Sequence, residues 1–303
     1  MYLKCLMMQG RTMKNSKYKL PEDFCAFILT HGRPNKVTTY RTLRGNGYTG
    51  KIYLVCDDED EALPQYKEKF GDEVLVFSKD KIGESFDLAD TFHSKKGVIV
   101  FARNACFDLA KKVGCNHFVQ LDDDYSQFRV LLKGKNDTVL RRKANLDLMF
   151  GAFFNFYRST PILSAAFVQG GDLLGGAHSQ MIKKGYKTKR KAMNSFFCSL
   201  DRPFTFVGRI NEDVNTYTTL GMRGEVFLTI PFFYLNQATT QSNSGGMTET
   251  YLDGGTYLKS FYSVMMQPSC VRIEMMKSTH KRIHHKVLWK NCTPMILHER
   301  FRK

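Results

Sequence analysis

Short apolar runs of strand length alternate with segments of helical periodicity over the first 125 residues of the chain. Continuous apolar strands that alternate with helices are typical of a mainly parallel sheet with helices on both faces. Gly114 follows the last helical segment, where a glycine often ends a helix. We therefore predict an α/β fold with strands at 24–30, 51–56, 74–78 and 117–124, and helices at 35–44, up to about residue 70 and at 97–114.

Beyond Tyr125 the alternation weakens. Residues 236–256 contain few large apolar side chains and several glycines, which predicts a mobile loop. Loops of this kind often order over a bound substrate. The other predicted elements are helices at 145–157 and about 212–220, strands that begin at 162 and 204 and at 225–235, and a helix followed by a basic segment from about residue 257.

The composition limits the class of protein. The 303 residues are 43% hydrophobic, which is enough for a core and excludes a wholly disordered chain. No apolar run approaches the length of a membrane span, so we expect no membrane partner. Residues 1–20 are basic without a secretory cleavage site and predict a tail before one domain at 21–303. The eight cysteines form no CxxC pair, which favours a reducing cytoplasm over a zinc site.

The positive charge is clustered along the chain. The 45 lysine and arginine residues against 29 aspartate and glutamate residues give a net charge of +16. Clustered basic charge indicates a nucleic acid or a nucleotide-carrying substrate, whereas the alternative is a soluble basic protein without such a partner. The residues that we expect to contact nucleic acid are Lys183, Lys184, Lys187, Lys189, Arg190, Lys191, Lys281 and Arg282.

Three consecutive carboxylates end the fourth predicted strand. In an open α/β sheet, ligands bind beyond the carboxyl ends of the strands. Strand alternation places Asp122 and Asp124 on one side, about 6.6 Å apart along the backbone. Two carboxylates this close repel each other unless a cation lies between them or one stays protonated. The pattern therefore predicts a divalent metal that bridges to a diphosphate, with an acidic turn in solvent as the alternative.

Four segments together resemble a glycosyltransferase of the A-type (GT-A) fold with its Asp-x-Asp motif. More narrowly, the chain is similar to the phage-type, TET-associated DNA glycosyltransferases, which modify hydroxymethylated pyrimidines in DNA. The resemblance runs from about Cys25 to Ser126, and the residues INED at 210–213 add a later match. The segments that carry it are CAFILTHGRP, YLVCDDED, FARNACFDLA and HFVQLDDDY.

The resemblance implies a role for each candidate site residue. Asp122 and Asp124 would hold Mn²⁺ or Mg²⁺ on the diphosphate of a UDP-sugar, with His285 as a third metal ligand. Asp213 would take a proton from the acceptor hydroxyl, with Glu212 as the second candidate for this base. The residues implied to bind the nucleotide sugar are Thr30, Gly32, Arg33, Asp57, Asp58, Arg103, Asn104, Asp122 and Asp123.

Several of these assignments have a plain structural alternative. Glu212 and Asp213 lie at a predicted helix start, where acids also cap helices. Arg103 also suits a salt bridge on a helix surface. His280 and His284 are four residues apart, so on a helix they would share one face, either as a separate metal site or as part of a basic surface that touches phosphate.

The expected architecture is a mostly parallel sheet flanked by helices, with a basic C-terminal extension. A nucleotide-sugar-binding part would cover about 21–125 and an acceptor-binding part about 126–303. The implied reaction moves a sugar from a UDP-sugar to the hydroxymethyl group of 5-hydroxymethylcytosine or 5-hydroxymethyluracil in DNA, in the host cytoplasm if the chain is phage-encoded. The target base would leave the duplex stack to react.

Three other functions fit parts of the sequence. The same fold acts on polysaccharide, lipid or protein acceptors, and such an enzyme would bind DNA weakly. A non-catalytic DNA-binding protein would bind DNA whether or not metal is present. A nucleotidyltransferase also uses strand-end carboxylates, but it would normally have a glycine-rich phosphate loop, which 30–34 is not.

Overall fold

A computed structural model of the chain describes residues 18–88, 99–133, 139–169, 188–237, 247–276, 282–294 and 299. Most of the predicted tail at 1–20 lies outside the described residues, as do the middle of the predicted loop at 236–256 and His280. Four of the predicted nucleic-acid contacts also lie outside them, namely Lys183, Lys184, Lys187 and Lys281.

The described residues form eleven strands and eight α-helices, numbered here in chain order, and one short 3₁₀ helix at Gly71–Glu73. The strands are β1 Phe24–Leu29, β2 Lys51–Asp57, β3 Val74–Phe77, β4 His117–Asp122, β5 Tyr125–Lys133, β6 Val139–Lys143, β7 Ile162–Val168, β8 Ser195–Ser199, β9 Val226–Gln237, β10 Val271–Met276 and β11 Arg282–Val287. The helices are α1 Thr38–Gly45, α2 Leu63–Phe70, α3 Lys79–Gly83, α4 Ile99–Lys112, α5 Leu146–Arg158, α6 Glu212–Met222, α7 Met247–Met266 and α8 Trp289–Cys292.

Nine strands of the described chain form one sheet in the order β3-β2-β1-β4-β8-β7-β9-β5-β6. The pairs β1–β2, β1–β4, β2–β3 and β7–β9 are parallel. Strands β8 and β5 run against the other seven. The predicted α/β class, with a mostly parallel sheet flanked by helices, is confirmed. Strands β10 and β11 form a separate antiparallel hairpin.

Helices cover both faces of the sheet, which explains why its central strands are apolar on both sides. All six residues of β1 are buried. Phe24, Ala26 and Ile28 belong to one core, which also contains side chains of α1, α2 and α5. Cys25 and Phe27, on the opposite face, belong to a second core with side chains of α4, α6 and α8. Because both faces are covered, a ligand can approach the central strands only at their ends.

Several predictions for the second half of the chain are wrong in detail. Residues 247–256 are helical rather than loop, and the helix α7 accommodates one of the glycines through a kink at Gly255, where φ is +65°. Residues 204–209 form no strand. His284 lies in β11 together with His285, so the helical spacing that we used for His280 and His284 does not apply. Residues 125–133 and 139–143 form β5 and β6, two strands that we did not predict.

Across the described residues, no helix combines the length and the apolar character that crossing a bilayer requires.

Candidate active site

The carboxyl ends of three neighbouring strands bring the first candidate residues together. In the register of the sheet, Leu29 of β1 lies between Val55 of β2 and Asp122 of β4. Thr30 follows Leu29 directly and therefore reaches the same edge as the aspartate triplet. Strand β9 ends at this edge too, where the Nε2 atom of Gln237 donates to Oδ2 of Asp122 at 3.1 Å.

Asp123 stabilises the loop that follows β1 through a hydrogen bond and an ion pair. It is only 2% exposed. Its Oδ2 accepts from Oγ1 of Thr30 at 2.8 Å, and its Oδ1 lies 3.1 Å from Nη2 of Arg33. Burial raises the pKa of Asp123 to about 6, although Arg33 and Thr30 oppose this shift. Thr30 and Arg33 are therefore both in contact with Asp123, and we predicted all three to bind the nucleotide sugar. Their role toward a nucleotide sugar stays a prediction.

A second acidic group follows β2. Burial acts against ionisation of Asp57, yet bonds from His31 and Lys79, each at 2.8 Å, hold its pKa at about 2. The backbone N–H of Gly32 donates to Oδ2 of Asp60 at 2.9 Å, which ties the two strand-end loops together. Asp58 has a local role, since its Oδ1 accepts from the backbone N–H of Lys79 at 2.9 Å.

The sequence did not single out Tyr66, Asp60 or Lys79. The Tyr66 hydroxyl contacts Oγ1 of Thr30 at 2.7 Å and accepts from the backbone N–H of Arg33 at 2.9 Å. The acidic run after β2 was a usable signal for Asp60. Tyr66 and Lys79 lie on α2 and α3, and no local pattern marks a helix residue that contacts a distant loop.

Asp122 and Asp124 are both partly buried acids, and one oxygen of Asp124 has no hydrogen-bond partner among the described residues. Burial raises the pKa of Asp122 to about 7, against the opposing charge of Arg103, whose Nη2 lies 3.4 Å from Oδ1. Burial also raises the pKa of Asp124, and Gln237 lowers it by a hydrogen bond. Within the described residues, Oδ1 of Asp124 is buried and accepts no hydrogen bond. A pair of carboxylates with an unsatisfied buried oxygen fits a divalent cation.

Arg103 connects the aspartate triplet to the acidic pair at the start of α6, Glu212 and Asp213. Its Nε atom donates to Oε1 of Glu212 at 2.9 Å, and the side chain is only 1% exposed. The guanidinium lies over the rings of Phe196 and Phe206, at 5.0 and 5.7 Å from their centroids. Its Nη1 atom is buried and has no hydrogen-bond partner among the described residues. One donor of this arginine therefore remains available beside Asp122.

Asn104, the neighbour of Arg103, makes a pair of hydrogen bonds with the backbone of Phe206. Its Nδ2 donates to the Phe206 carbonyl at 2.9 Å, and its Oδ1 accepts from the Phe206 N–H at 2.8 Å. The amide is thus used to hold the segment before α6. Its predicted contact with the nucleotide sugar stays a prediction.

Asp213 and Glu212 begin α6, as the sequence predicts, but they have different partners. Burial and the charge of Glu212 raise the pKa of Asp213 to about 6. Oδ1 of Asp213 accepts from the backbone N–H of Val214 at 2.7 Å, so part of this carboxylate caps the helix. Glu212 is bound to Arg103, which leaves Asp213 as the less constrained acid.

His285 lies beside a lysine. Its Nε2 atom is 3.1 Å from Nζ of Lys191. Burial and the charge of Lys191 lower the pKa of His285 to about 3, so the ring is neutral at pH 7. Among the described residues, no three His, Cys, Asp or Glu side chains are placed to hold a metal ion together. His285 is thus not grouped with Asp122 and Asp124 in this structure, and its role as a metal ligand stays a prediction.

The four described nucleic-acid candidates have different degrees of exposure. Lys189 and Arg282 are exposed, whereas Arg190 and Lys191 are partly buried. Arg190 lines a cavity of about 160 Å³ together with other residues that include Tyr217. Their contact with DNA stays a prediction.

Comparison with solved structures finds proteins that match this chain at low sequence identity. The mannosyltransferase PcManGT from Pyrobaculum calidifontis, solved with GDP-Man and Mn²⁺, is 12% identical with a TM-score of 0.43; the match covers 80% of this chain and 64% of that one. The glucosyl-3-phosphoglycerate synthase from Mycobacterium tuberculosis, solved with Mn²⁺, UDP and phosphoglyceric acid, is 9% identical with a TM-score of 0.43, and the match covers 87% of this chain and 86% of that one. The chain thus spans less than two thirds of the mannosyltransferase.

Sequence comparison gives the family. No curated protein matches the chain. The family model described as TET-Associated Glycosyltransferase matches residues 24–246, a segment that includes the aspartate triplet, Arg103 and the acidic pair of α6. The resemblance seen in the sequence is therefore confirmed, and the chain belongs to the TET-associated glycosyltransferase family.

Proposed function

We propose that the protein transfers a sugar from a UDP-sugar to the hydroxymethyl group of 5-hydroxymethylcytosine or 5-hydroxymethyluracil in DNA, as part of phage DNA hypermodification. The observation that carries this proposal is the pairing of two unsatisfied groups at one sheet edge. Asp124 has a buried acceptor without a donor, and Arg103 has a buried donor without an acceptor. A divalent metal bound to a diphosphate complements both.

The metal in this proposal is Mn²⁺ or Mg²⁺, held by Asp122 and Asp124. When bound, it would neutralise negative charge on the leaving diphosphate. Arg103 would donate its remaining Nη1 hydrogens to a phosphate oxygen. The loop from Thr30 to Arg33, braced by Asp123, would position the nucleotide.

Asp213 is the proposed base. A carboxylate with a pKa of about 6 is largely ionised at pH 7 and still accepts a proton effectively. Glu212 is less suited because Arg103 binds its Oε1 atom. In the proposed step, the acceptor oxygen forms a bond to the anomeric carbon, the bond to the diphosphate breaks, and the proton of the hydroxyl goes to Asp213.

The DNA acceptor is supported by the family and by the charge of the chain. A net charge of +16 favours a polyanionic partner. A pyrimidine in duplex DNA is stacked between its neighbours, so the enzyme would extrude it to reach its hydroxymethyl group. Exposed basic residues such as Lys189 and Arg282 would hold the flanking phosphates.

Mass spectrometry of digested nucleosides tests this function. DNA containing 5-hydroxymethylcytosine or 5-hydroxymethyluracil is incubated with the protein, Mn²⁺ and a panel of UDP-sugars. We expect a sugar-sized mass gain on one modified nucleoside. UDP release without a gain on any nucleoside would discard DNA as the acceptor, and neither product would favour a binding protein without catalysis.

The double variant Asp122→Asn/Asp124→Asn tests the metal assignment in the same assay. We expect transfer to fall by at least about a hundredfold, because the metal and its charge stabilisation are lost. Asp108→Asn is the matched control, since Asp108 is on α4 with its side chain 72% exposed. Retained turnover in the double variant would contradict the assignment.

A further inference from the structure

Basic side chains from three parts of the chain gather beside Asp213. We call this group the cationic cluster and define it as Lys191, Lys259, Arg282, His284 and His285. Its geometry is set by hydrogen bonds between segments. The side chain of Asn211, which precedes α6, donates to the Lys259 carbonyl at 2.8 Å, and the Ser260 hydroxyl donates to the Ile283 carbonyl at 3.2 Å.

The bond between Lys191 and His285 fixes the protonation of the imidazole. An ammonium group has no lone pair, so Nζ of Lys191 donates and Nε2 of His285 accepts. A neutral ring that accepts at Nε2 carries its hydrogen on Nδ1. That Nδ1 atom is buried, on a residue only 5% exposed, and has no hydrogen-bond partner among the described residues. A buried N–H without an acceptor is costly, which points to a missing acceptor.

The groups around His285 are mostly cationic. The rings of His284 and His285 lie 4.2 Å apart, and Nζ of Lys191 is 3.1 Å from Nε2 of His285. Lys191, Lys259 and Arg282 are all close enough to His284 to act on it as positive charges. An anion at this place would therefore meet several cationic side chains.

A metal ion does not fit His285 in this arrangement. A metal on Nε2 would replace the bond from Lys191, and a metal on Nδ1 would require the hydrogen there to leave. Either metal would also face the positive charges of Lys191, Lys259 and Arg282. An anion with several acceptor oxygens meets none of these objections.

We infer that the cationic cluster binds a phosphate group beside Asp213. Lys191 and Arg282 would supply the charge, and the phosphate would provide the acceptor that Nδ1 of His285 lacks, directly or through a water molecule. The inference rests on the proposed function, because such a phosphate belongs either to the nucleotide-sugar diphosphate or to the DNA backbone next to the target nucleotide.

Binding measurements without added metal test the cluster. UDP is the probe for the diphosphate, and a short unmodified DNA duplex is the probe for the backbone. For Lys191→Met and His285→Asn we expect at least about a tenfold loss of affinity for one probe, and the probe affected identifies the source of the phosphate. Lys286→Met is the matched control, since Lys286 lies on the same strand, pairs with Glu274 at 2.6 Å and should change affinity less than twofold.

Two results would overturn the inference. One is affinity within twofold of the wild type for both probes in a variant that circular dichroism shows to be folded. The other is loss of Mn²⁺ affinity in His285→Asn with both phosphate probes unaffected, which would make His285 a metal ligand. If Lys191→Met does not fold, Lys191→Gln replaces it, and we expect the same loss of affinity because the charge is removed while a polar side chain remains. Because no arm measures transfer, a failure of the inference is distinguishable from a failure of the proposed reaction.

Discussion

At the scale of single residues, the three aspartates of the triplet have different surroundings, and we therefore expect them to have different roles. Asp123 is tied to Thr30 and Arg33, whereas Oδ1 of Asp124 is buried and has no hydrogen-bond donor among the described residues. Strand β4 ends at Asp122, and Asp123 and Asp124 form the turn that follows it. One residue of the motif thus holds the loop, and Asp124 keeps an oxygen for a ligand.

The raised pKa of Asp122 predicts how metal binding depends on pH. Metal-free Asp122 titrates at about 7, and a metal binds only the ionised carboxylate. We expect the affinity for Mn²⁺ to rise as the pH increases through 7 and to level off above it. Calorimetry in buffers of different ionisation enthalpy should detect the released proton. The same profile in Asp122→Asn, with Asp108→Asn as the control, would refute this explanation.

Local pattern predicted the carboxylates at the strand ends but not their partners. The prediction that strand alternation places Asp122 and Asp124 on one side assumed a strand over 117–124, but β4 ends at Asp122 and Asp124 lies in the turn after it. The partner of Asp123, Thr30, is 93 residues away, and the partner of Arg103, Glu212, is 109 residues away. Such pairs depend on how strands and helices pack. The sequence alone therefore did not show which acids are bound to a side chain distant in the chain.

At the scale of elements, α4 and the start of α6 are held together by polar contacts. Arg103 binds Glu212, and Asn104 binds the backbone of Phe206. Because Arg103 also lies 3.4 Å from Oδ1 of Asp122, the packing of these two helices helps to position the candidate metal site. A change in one helix should therefore be felt at the end of β4.

Arg103→Met tests this connection. Removing one partner of a buried ion pair leaves Glu212 unpaired, and we expect the free energy of unfolding to fall by about 3–5 kcal/mol. Adding Glu212→Leu should recover part of the loss. Lys111→Met is the control on the same helix, with its side chain 67% exposed, and should change stability by less than about 0.5 kcal/mol. Urea denaturation measures all three, and equal stability of Arg103→Met and the wild type would exclude the buried pair.

Element prediction succeeded where apolar periodicity was continuous and failed where composition was ambiguous. The parallel strands β1, β2 and β4 have buried residues on both faces and are easily recognised. The glycines of 236–256 indicated a loop, but α7 begins at Met247 and needs only a kink at Gly255. Spacing of four between His280 and His284 suited a helix, whereas His284 pairs across a hairpin with Glu274.

At the scale of the whole molecule, residues beyond the family match contact the segment that holds the candidate acids. The match ends at residue 246, yet the Tyr262 hydroxyl accepts from the Arg209 N–H at 2.8 Å. The ring of Trp289 stacks on Tyr217 of α6, with centroids 5.6 Å apart. The described residues beyond 246 therefore support the segment that holds Glu212 and Asp213.

A chain that ends at residue 246 tests this dependence. It would lack Tyr262, Lys259 and Trp289, which leaves polar groups around Asn211 unpaired and one face of α6 uncovered. We expect it to be insoluble or to unfold without a cooperative transition, as followed by near-ultraviolet circular dichroism and heating. A chain that ends at residue 294 retains these contacts and is the control. Cooperative unfolding of the shorter chain at the wild-type temperature would show that the C-terminal part is dispensable for folding.

The burial of the cysteines gives the molecule internal reporters of its own motion. Each described cysteine is a free thiol inside the protein, and none of the seven is reactive until its surroundings open. Alkylation of a thiol, followed site by site, would therefore report the rate at which that region opens, without any introduced label. The seven reporters lie in β1, β2, α4, β8 and α8 and just before β4 and β10, and they are Cys25, Cys56, Cys106, Cys198, Cys292, Cys115 and Cys270.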